Sequence, residues 1–263
     1  MKEQILKALP LDHPWREQII WFDIADSTNN RAKSLLHVGL PHGTVVMADA
    51  QTGGRGRMGR SFQSPAGMGI YMSVILRPQC TPDRLMHLTC AVAVAMCDAV
   101  EEVTGLRPDI KWTNDLVLSS RKVGGILTEL VTTPAGTSAV IGVGINCLQQ
   151  VNDFEPQLQS FAGSLAMALE APVDRAKLAA AMICALEKMD KALLTEKEET
   201  MNRYREGCIT LNKDISILQG DQVRHGFAFG LDDDGALLVS FADGHKETVN
   251  SGEVSVRGMY GYI

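Results

Sequence analysis

The chain has 263 residues, 45% of them apolar and 21% charged, which suits one large domain or a main domain with a small companion and excludes a chiefly disordered chain. Twenty-five basic against thirty-one acidic residues leave a net charge of −6, which excludes a general nucleic-acid coat protein but leaves room for a local basic patch. Six cysteines (80, 90, 97, 147, 184 and 208) form no Cys-x-x-Cys pair and no Cys–His zinc spacing, so they read as reduced thiols of a cytoplasmic protein. The N-terminus shows no signal-peptide pattern. The longest apolar stretch, Leu88–Cys97, is half the ~20 residues a membrane span needs.

In chain order, Ile19–Ala25 reads as a strand that feeds a helix at Arg31–Leu36 through the capping segment Asp26-Ser27-Thr28-Asn29. Strands are predicted at Thr44–Ala50 and Ile70–Leu76, with a glycine- and arginine-rich loop, Gln51–Arg60, between them. Apolar residues three or four apart predict a helix over Asp83–Val103, closed by Gly105. Asp109–Thr113, Leu116–Leu118, Gly125–Val131 and Ala139–Ile145 follow as strands with no helix between them, which predicts an antiparallel or mixed sheet. Helical patterns return at Leu158–Leu169, Arg175–Leu194 and Glu196–Arg205. After residue 212, five short strands with Asp-Gly turns predict a small β-barrel. The expected organisation is α+β, with a main domain over residues 1–212 and a barrel over 213–263.

The strongest chemical signal is Gly53-Gly54-Arg55-Gly56-Arg57-Met58-Gly59-Arg60. Its four glycines free the backbone to bring N–H groups against an anion, and its three arginines supply permanent planar charge for carboxylate or phosphate. It fits neither the dinucleotide fingerprint nor the Walker pattern. Alone it reads equally as a solvated basic loop or a Gly-Arg RNA-binding tract. A second cluster is Lys111-Trp112-Thr113-Asn114-Asp115 with Arg121-Lys122-Val123-Gly124-Gly125. Glycines after Lys122 let a ligand lie against the backbone, although a β-hairpin with a charged tip would look the same. Gly142-Val143-Gly144-Ile145-Asn146 is a strand whose glycines mark close packing.

These segments occur together, in this order, downstream of Asp26-Ser27-Thr28-Asn29, and from about Ile20 onward the chain resembles the biotin protein ligases. The resemblance implies a catalytic domain like the class II aminoacyl-tRNA synthetases, a mixed sheet with helices, followed by an SH3-like barrel. It also implies the ligase-only form, because some twenty residues before the first strand are too few for a helix-turn-helix repressor domain. Three positions depart from the family pattern: Thr113 for proline, Phe62 for a frequent tryptophan, and Met58 for a frequent basic residue.

The implied reaction joins biotin to ATP as biotinyl-5′-AMP, then passes biotin to a lysine of a biotin carboxyl carrier protein domain. By resemblance, Ser27, Thr28, Asn29, Gln51 and Gly54 meet biotin's polar end, with Gly125 beside it. Arg55 and Arg57 close over the carboxylate and α-phosphate. Lys122 lies between these two anions, and Lys111 is a weaker candidate for the same work. Arg60, Phe62, Asn114, Asn146 and Arg257 face the nucleotide, Phe62 by stacking on adenine. Asp115 is read either as a Mg²⁺ ligand or as the hydrogen-bond acceptor of the incoming lysine. ATP, Mg²⁺ and biotin are the implied small molecules, with a homodimer possible and neither DNA nor membrane as partner. A lipoate or octanoate ligase is the enzymatic alternative; its Gly-Gly-Gly segment and downstream histidine are missing here. An RNA-binding protein is the non-enzymatic one, and 5% aromatics with net charge −6 argue against it.

Overall fold

Two β-sheets organise the chain, and the alternation of side chains across the first decides where everything else packs. The structure is a computed structural model that describes residues 1–133, 136–219, 222–250 and 252–256. The first sheet has the strand order β1-β2-β3-β7-β6-β5-β4. Its strands are β1 (Ile19–Ala25), β2 (Thr44–Gln51), β3 (Gly69–Leu76), β4 (Asp109–Lys111), β5 (Asp115–Leu118), β6 (Arg121–Thr133) and β7 (Gly136–Asn146). β1 and β2 run parallel, joined by α2 (Thr28–Leu36) as the crossover; all other neighbours are antiparallel. The sheet is mixed, as the run of strands without helices implies.

Successive residues of a strand point to opposite faces. Met47, Met72, Val74 and Ile141 point to one face and join the main core with α3 (Leu88–Thr104) and α5 (Arg175–Ala192). Val46, Ile75 and Val140 point to the other and meet Ala32 and Leu36 of α2. α3 is apolar nearly all round because it packs against α5, α6 (Lys197–Gly207) and β6 together. Cys90 and Cys97 sit in it as small core residues, and burial pushes both thiols up to about 12. Gly105, at φ +73°, closes the helix by donating to the Glu101 carbonyl at 2.8 Å.

Three segments differ from the sequence expectation. Asp83–Val103 is not one helix: Pro82–Leu85 is a 3₁₀ turn and α3 begins at Leu88. Leu85 and Leu88 are buried on either side of the bend, so apolar spacing runs through it unbroken. The expected helix Leu158–Leu169 shrinks to α4 (Leu165–Leu169). Carbonyls it would have used are taken by Arg121, which donates to Gln159 and Ala162, and by the Lys122 N–H, which donates to Phe161. A helix, α1 (Lys2–Ala8), was not foreseen; its Ile5 is fully buried and the helix packs against α5. Seven residues give too little periodicity to stand out.

The second sheet is antiparallel, in the order β11-β10-β9-β8-β12, and forms the small SH3-like unit. Its strands are β8 (Lys213–Gln219), β9 (Gln222–Leu231), β10 (Leu237–Ser240), β11 (Lys246–Val249) and β12 (Glu253–Val256). Its Asp-Gly turns form as read: Asp232 Oδ1 accepts from the backbone of Asp234 and Ala236, and Asp243 Oδ1 from His245. Trp112 Nε1 donates to the Gly235 carbonyl at 2.8 Å and ties this unit to the first sheet. Among the described residues no helix is long and apolar enough to cross a membrane.

Candidate active site

The short α2 leaves part of its sheet face uncovered, and strand register decides what stands there. One row across the sheet reads Lys111, Asp115, Gly125, Gly144, Tyr71, and the next reads Leu127, Gly142, Ser73. The glycines of these rows remove side chains from the middle of the face. A Cβ on Gly144 would lie 2.7 Å from the Phe62 ring, and one on Gly142 would collide with the Asn29 amide. The result is a cavity of about 220 Å³ between the sheet, the glycine-rich loop and the loop before α4.

One end of the cavity is neutral and closely hydrogen-bonded. Ser73 Oγ lies 2.6 Å from Asn29 Oδ1 and 2.8 Å from Thr28 Oγ1. The Thr28 N–H and hydroxyl donate to Gln51 Oε1 at 2.8 and 3.2 Å, and Gln51 Nε2 donates to Ser64 Oγ at 2.8 Å. Ser27 is the first residue of the α2 cap by position, but its hydroxyl makes no capping bond; it lines the cavity instead. The segment read as a cap thus supplies the N-cap position without a side-chain capping bond. Gly54 is wedged against this network: a Cβ there would meet Ser64 Oγ and Gln51 Nε2 as well as the Phe62 carbonyl.

The other end carries the charge. Lys122 Nζ is 2.6 Å from Asp115 Oδ1, both side chains being about a quarter exposed. Lys111 is 8% exposed on β4 and lines the same end. Asn114 is held twice by β6, its Nδ2 donating to the Ile126 carbonyl and its own carbonyl accepting from the Ile126 N–H. Arg57 Nη1 donates to Asn114 Oδ1 at 3.1 Å and to Thr113 Oγ1 at 3.0 Å. Tyr204 of α6 holds the Thr113 carbonyl from behind at 2.9 Å. The turn at Thr113 is thus tightly held without a proline.

Every named site residue within the described chain except Gly54, which packs behind Gln51 and Ser64, lines this cavity: Arg60 and Phe62 at its loop side, Asn146 at the end of β7. Arg257 lies outside the described residues. Gly252 and Val254 of the small unit reach the cavity edge. Arg55 lines the cavity and also has a partner on the protein. Its Nη1 lies 3.2 and 3.3 Å from the two oxygens of Glu129 and donates to Asn30 Oδ1 at 3.1 Å, so it is paired with a carboxylate of the protein. Phe62 rests over Gly144 and edge-on to Tyr71, its ring on the sheet face. Met58, at φ +54°, is exposed.

Sequence reading missed Ser73, Glu129 and the apolar wall of Phe154, Leu158 and Phe161. The wall is held in place by the 2.8 Å bond from the Lys122 N–H to the Phe161 carbonyl. Among the described residues no cluster of three metal-ligating side chains occurs.

Comparison with known proteins gives the cavity its context. Residues 21–146 match the family model described as biotin/lipoate A/B protein ligase, and residues 210–257 match the biotin protein ligase C terminal domain. The chain is 37% identical over 235 residues to the bifunctional ligase/repressor BirA of Bacillus subtilis, covering 88% of this chain and 72% of that protein. It is 31% identical over 241 residues to the biotin–[acetyl-CoA-carboxylase] ligase of Paracoccus denitrificans, covering 89% and 98%. The solved biotin protein ligase from Aquifex aeolicus, in complex with biotin and ATP, superposes with a TM-score of 0.78 at 28% identity over 92% of this chain and 99% of that one. Relatives matched over most of their length, by a chain whose cavity sits where its own glycine and lysine motifs converge, leave one assignment: the chain belongs to the biotin protein ligase family.

Proposed function

We propose that the chain forms biotinyl-5′-AMP from biotin and ATP in this cavity and transfers biotin to a lysine of a biotin carboxyl carrier protein domain. The observation that carries this reading is the register that sets Lys111, Asp115 and Lys122 at one end of an apolar-walled cavity and a neutral hydrogen-bonding cradle at the other. Biotin has the matching halves: a ureido group needing paired donors and acceptors, and a carboxylate at the end of an apolar chain.

In the first step the carboxylate attacks the α-phosphorus and pyrophosphate leaves. Two anions must approach, and Lys122 is the cation beside their meeting point, assisted by Lys111 and by Arg57 from the loop. In the second step the acceptor amine attacks the acyl carbon and AMP leaves. As Lys122 turns to the phosphate, Asp115 is freed to accept a hydrogen bond from that amine. Asp115 is the one carboxylate among the described lining residues, and it is already ion-paired. That set does not fit a protein-held Mg²⁺ site; the ion enters as the counter-ion of ATP's phosphates. Asn114, Asn146, Arg60 and Phe62 stand on the nucleotide side.

The six free cysteines support a cytoplasmic setting. β1, at the end of the strand order, offers its edge to the second copy of a homodimer; sedimentation reads that state. The deciding experiment for the function is mass spectrometry of a carrier domain incubated with this protein, MgATP and either biotin or lipoate. Gain of one biotin and no lipoate supports the reading; gain of lipoate alone, or of neither, overturns it.

A further inference from the structure

Glu129 stands on β6, two residues beyond Leu127 on the cavity face, opposite Val140. It does not line the cavity, yet three groups converge on it. Asn29 Nδ2 donates to Oε2 at 2.9 Å, Lys33 Nζ donates to Oε1 at 2.9 Å, and Arg55 Nη1 reaches both oxygens. Burial works against its charge, but the bonds from Lys33 and Asn29 and the neighbouring Arg55 outweigh it, and the carboxyl titrates below its usual range.

Traced from Glu129, polar contacts run through the cradle as far as Gln51, and the glycine-rich loop brings Arg55 back to the same carboxylate. Asn29 passes to Ser73, Ser73 to Thr28, Thr28 to Gln51, and Gln51 packs on Gly54, whose neighbour Arg55 returns to Glu129. The carboxylate and the Leu127 carbonyl, which Asn29 Nδ2 also reaches at 3.2 Å, can only accept, so Asn29 turns its NH₂ toward this pair and its oxygen toward Ser73. A change at Glu129 therefore removes the shorter of the two acceptors that orient Asn29, and through Asn29 it reaches Ser73 and Thr28. The same carboxylate holds the first arginine of the glycine-rich loop, while the second, Arg57, is held at the far side by Thr113 and Asn114.

From this we infer that Glu129 is a positioning residue: together with the Leu127 carbonyl it holds Asn29 in the hydrogen-bond polarity of the cradle that receives biotin's ureido end, and it clamps the root of the glycine-rich loop through Arg55. The two arginines then have different work. Arg55 is a tether, and Arg57 is the cation that closes on the reacting anions. The inference rests on the proposed biotin site for its first half only; the clamp belongs to the free protein.

The test uses Glu129→Gln, which keeps the volume and removes the charge, and Arg55→Gln, which opens the same circuit from the solvent side without touching the core. In the ligand-free protein, tryptic cleavage after Arg57 and Arg60 should be several-fold faster in both variants. Biotin titration by calorimetry should show a dissociation constant raised about 10- to 100-fold in Glu129→Gln, the range of a lost charge-assisted bond. In steady state the KM for biotin should rise while kcat at saturation stays within about threefold. The double variant should be no worse than Glu129→Gln alone, because both act through one circuit. Wild-type cleavage rates in both variants, with an unchanged biotin constant, overturn the inference. If the wild-type protein itself binds no biotin, the functional reading fails, and the ligand-free cleavage rates alone decide the clamp.

Discussion

The two ends of the cavity are built on opposite principles. At the neutral end, Thr28, Asn29, Gln51 and Ser73 already satisfy one another, so the cradle is arranged before any ligand arrives. At the charged end, Lys122 has only Asp115 within ion-pair distance among the described residues, and Arg57 holds neutral oxygens of Thr113 and Asn114. In the proposed reaction those cations would exchange these partners for phosphate and carboxylate. One end is preorganised in hydrogen-bond polarity and the other stores charge; under the proposed function this difference separates recognition from chemistry in space.

The comparison breaks most sharply at Lys122. Lys122→Ala should leave the fold intact and lower pyrophosphate release by about 10²–10³-fold, the cost of one preorganised charge in a transition state. Release near the wild-type rate would remove Lys122 from the chemistry. Next comes Arg57→Gly, which takes away a charged contact commonly worth ~1.5–3 kcal/mol. Biotinyl-AMP should form but escape about 10- to 100-fold faster, and the escaped acyl-adenylate should label bystander lysines. Unchanged single-turnover release and no labelling of added albumin would show that Arg57 does not help close the site.

Gly142→Ala sharpens the other side. The added Cβ collides with the Asn29 amide, so the neutral cradle is deformed at a cost of about 1–3 kcal/mol in stability. Biotin affinity should fall about tenfold or more, while ATP binding, read by calorimetry, stays near wild type; equal loss of both would mean that the two ends are not separable.

The charged end was legible in the sequence because its residue types carry their own meaning. The glycine–arginine loop and the Lys-Trp-x-Asn-Asp segment are contiguous, and register merely assembles them. The neutral end was legible only in part. Ser73 lies in an apolar strand and meets Thr28 across 45 residues of sequence; Glu129 meets Asn29 across 100. Neither position differs from an ordinary strand residue until β3, β7 and β6 are paired. The Glu129 partner of Arg55 was hidden for the same reason: it comes from a distant strand. The wall at Phe154–Phe161 was hidden because its apolar spacing mimics a helix, and the carbonyls consumed by Arg121 and Lys122 leave no trace in the sequence. Strand positions, by contrast, were readable from short apolar runs and Asp-Gly turns.

The smallest expected effect is on acid stability. Glu129 titrates below its usual range in the folded chain, so its contribution is present above the unfolded value of about 4.3 and is lost as pH falls through the lowered folded value. Glu129→Gln should lower Tm at neutral pH and converge on wild type as pH drops below about 4. Parallel Tm curves across that range would show that Glu129 is not stabilised as an anion.

The separation of recognition from chemistry is tested most directly by pyrophosphate release at saturating biotin in two variants, Thr28→Val at the neutral end and Lys122→Ala at the charged end. Thr28→Val removes a hydroxyl from the cradle and nearly keeps its volume, so its rate should recover to within a few-fold of wild type once biotin saturates. Lys122→Ala should stay about 10²–10³-fold slow at any biotin concentration. Recovery of both variants at high biotin, or failure of both by the same factor, would contradict the account.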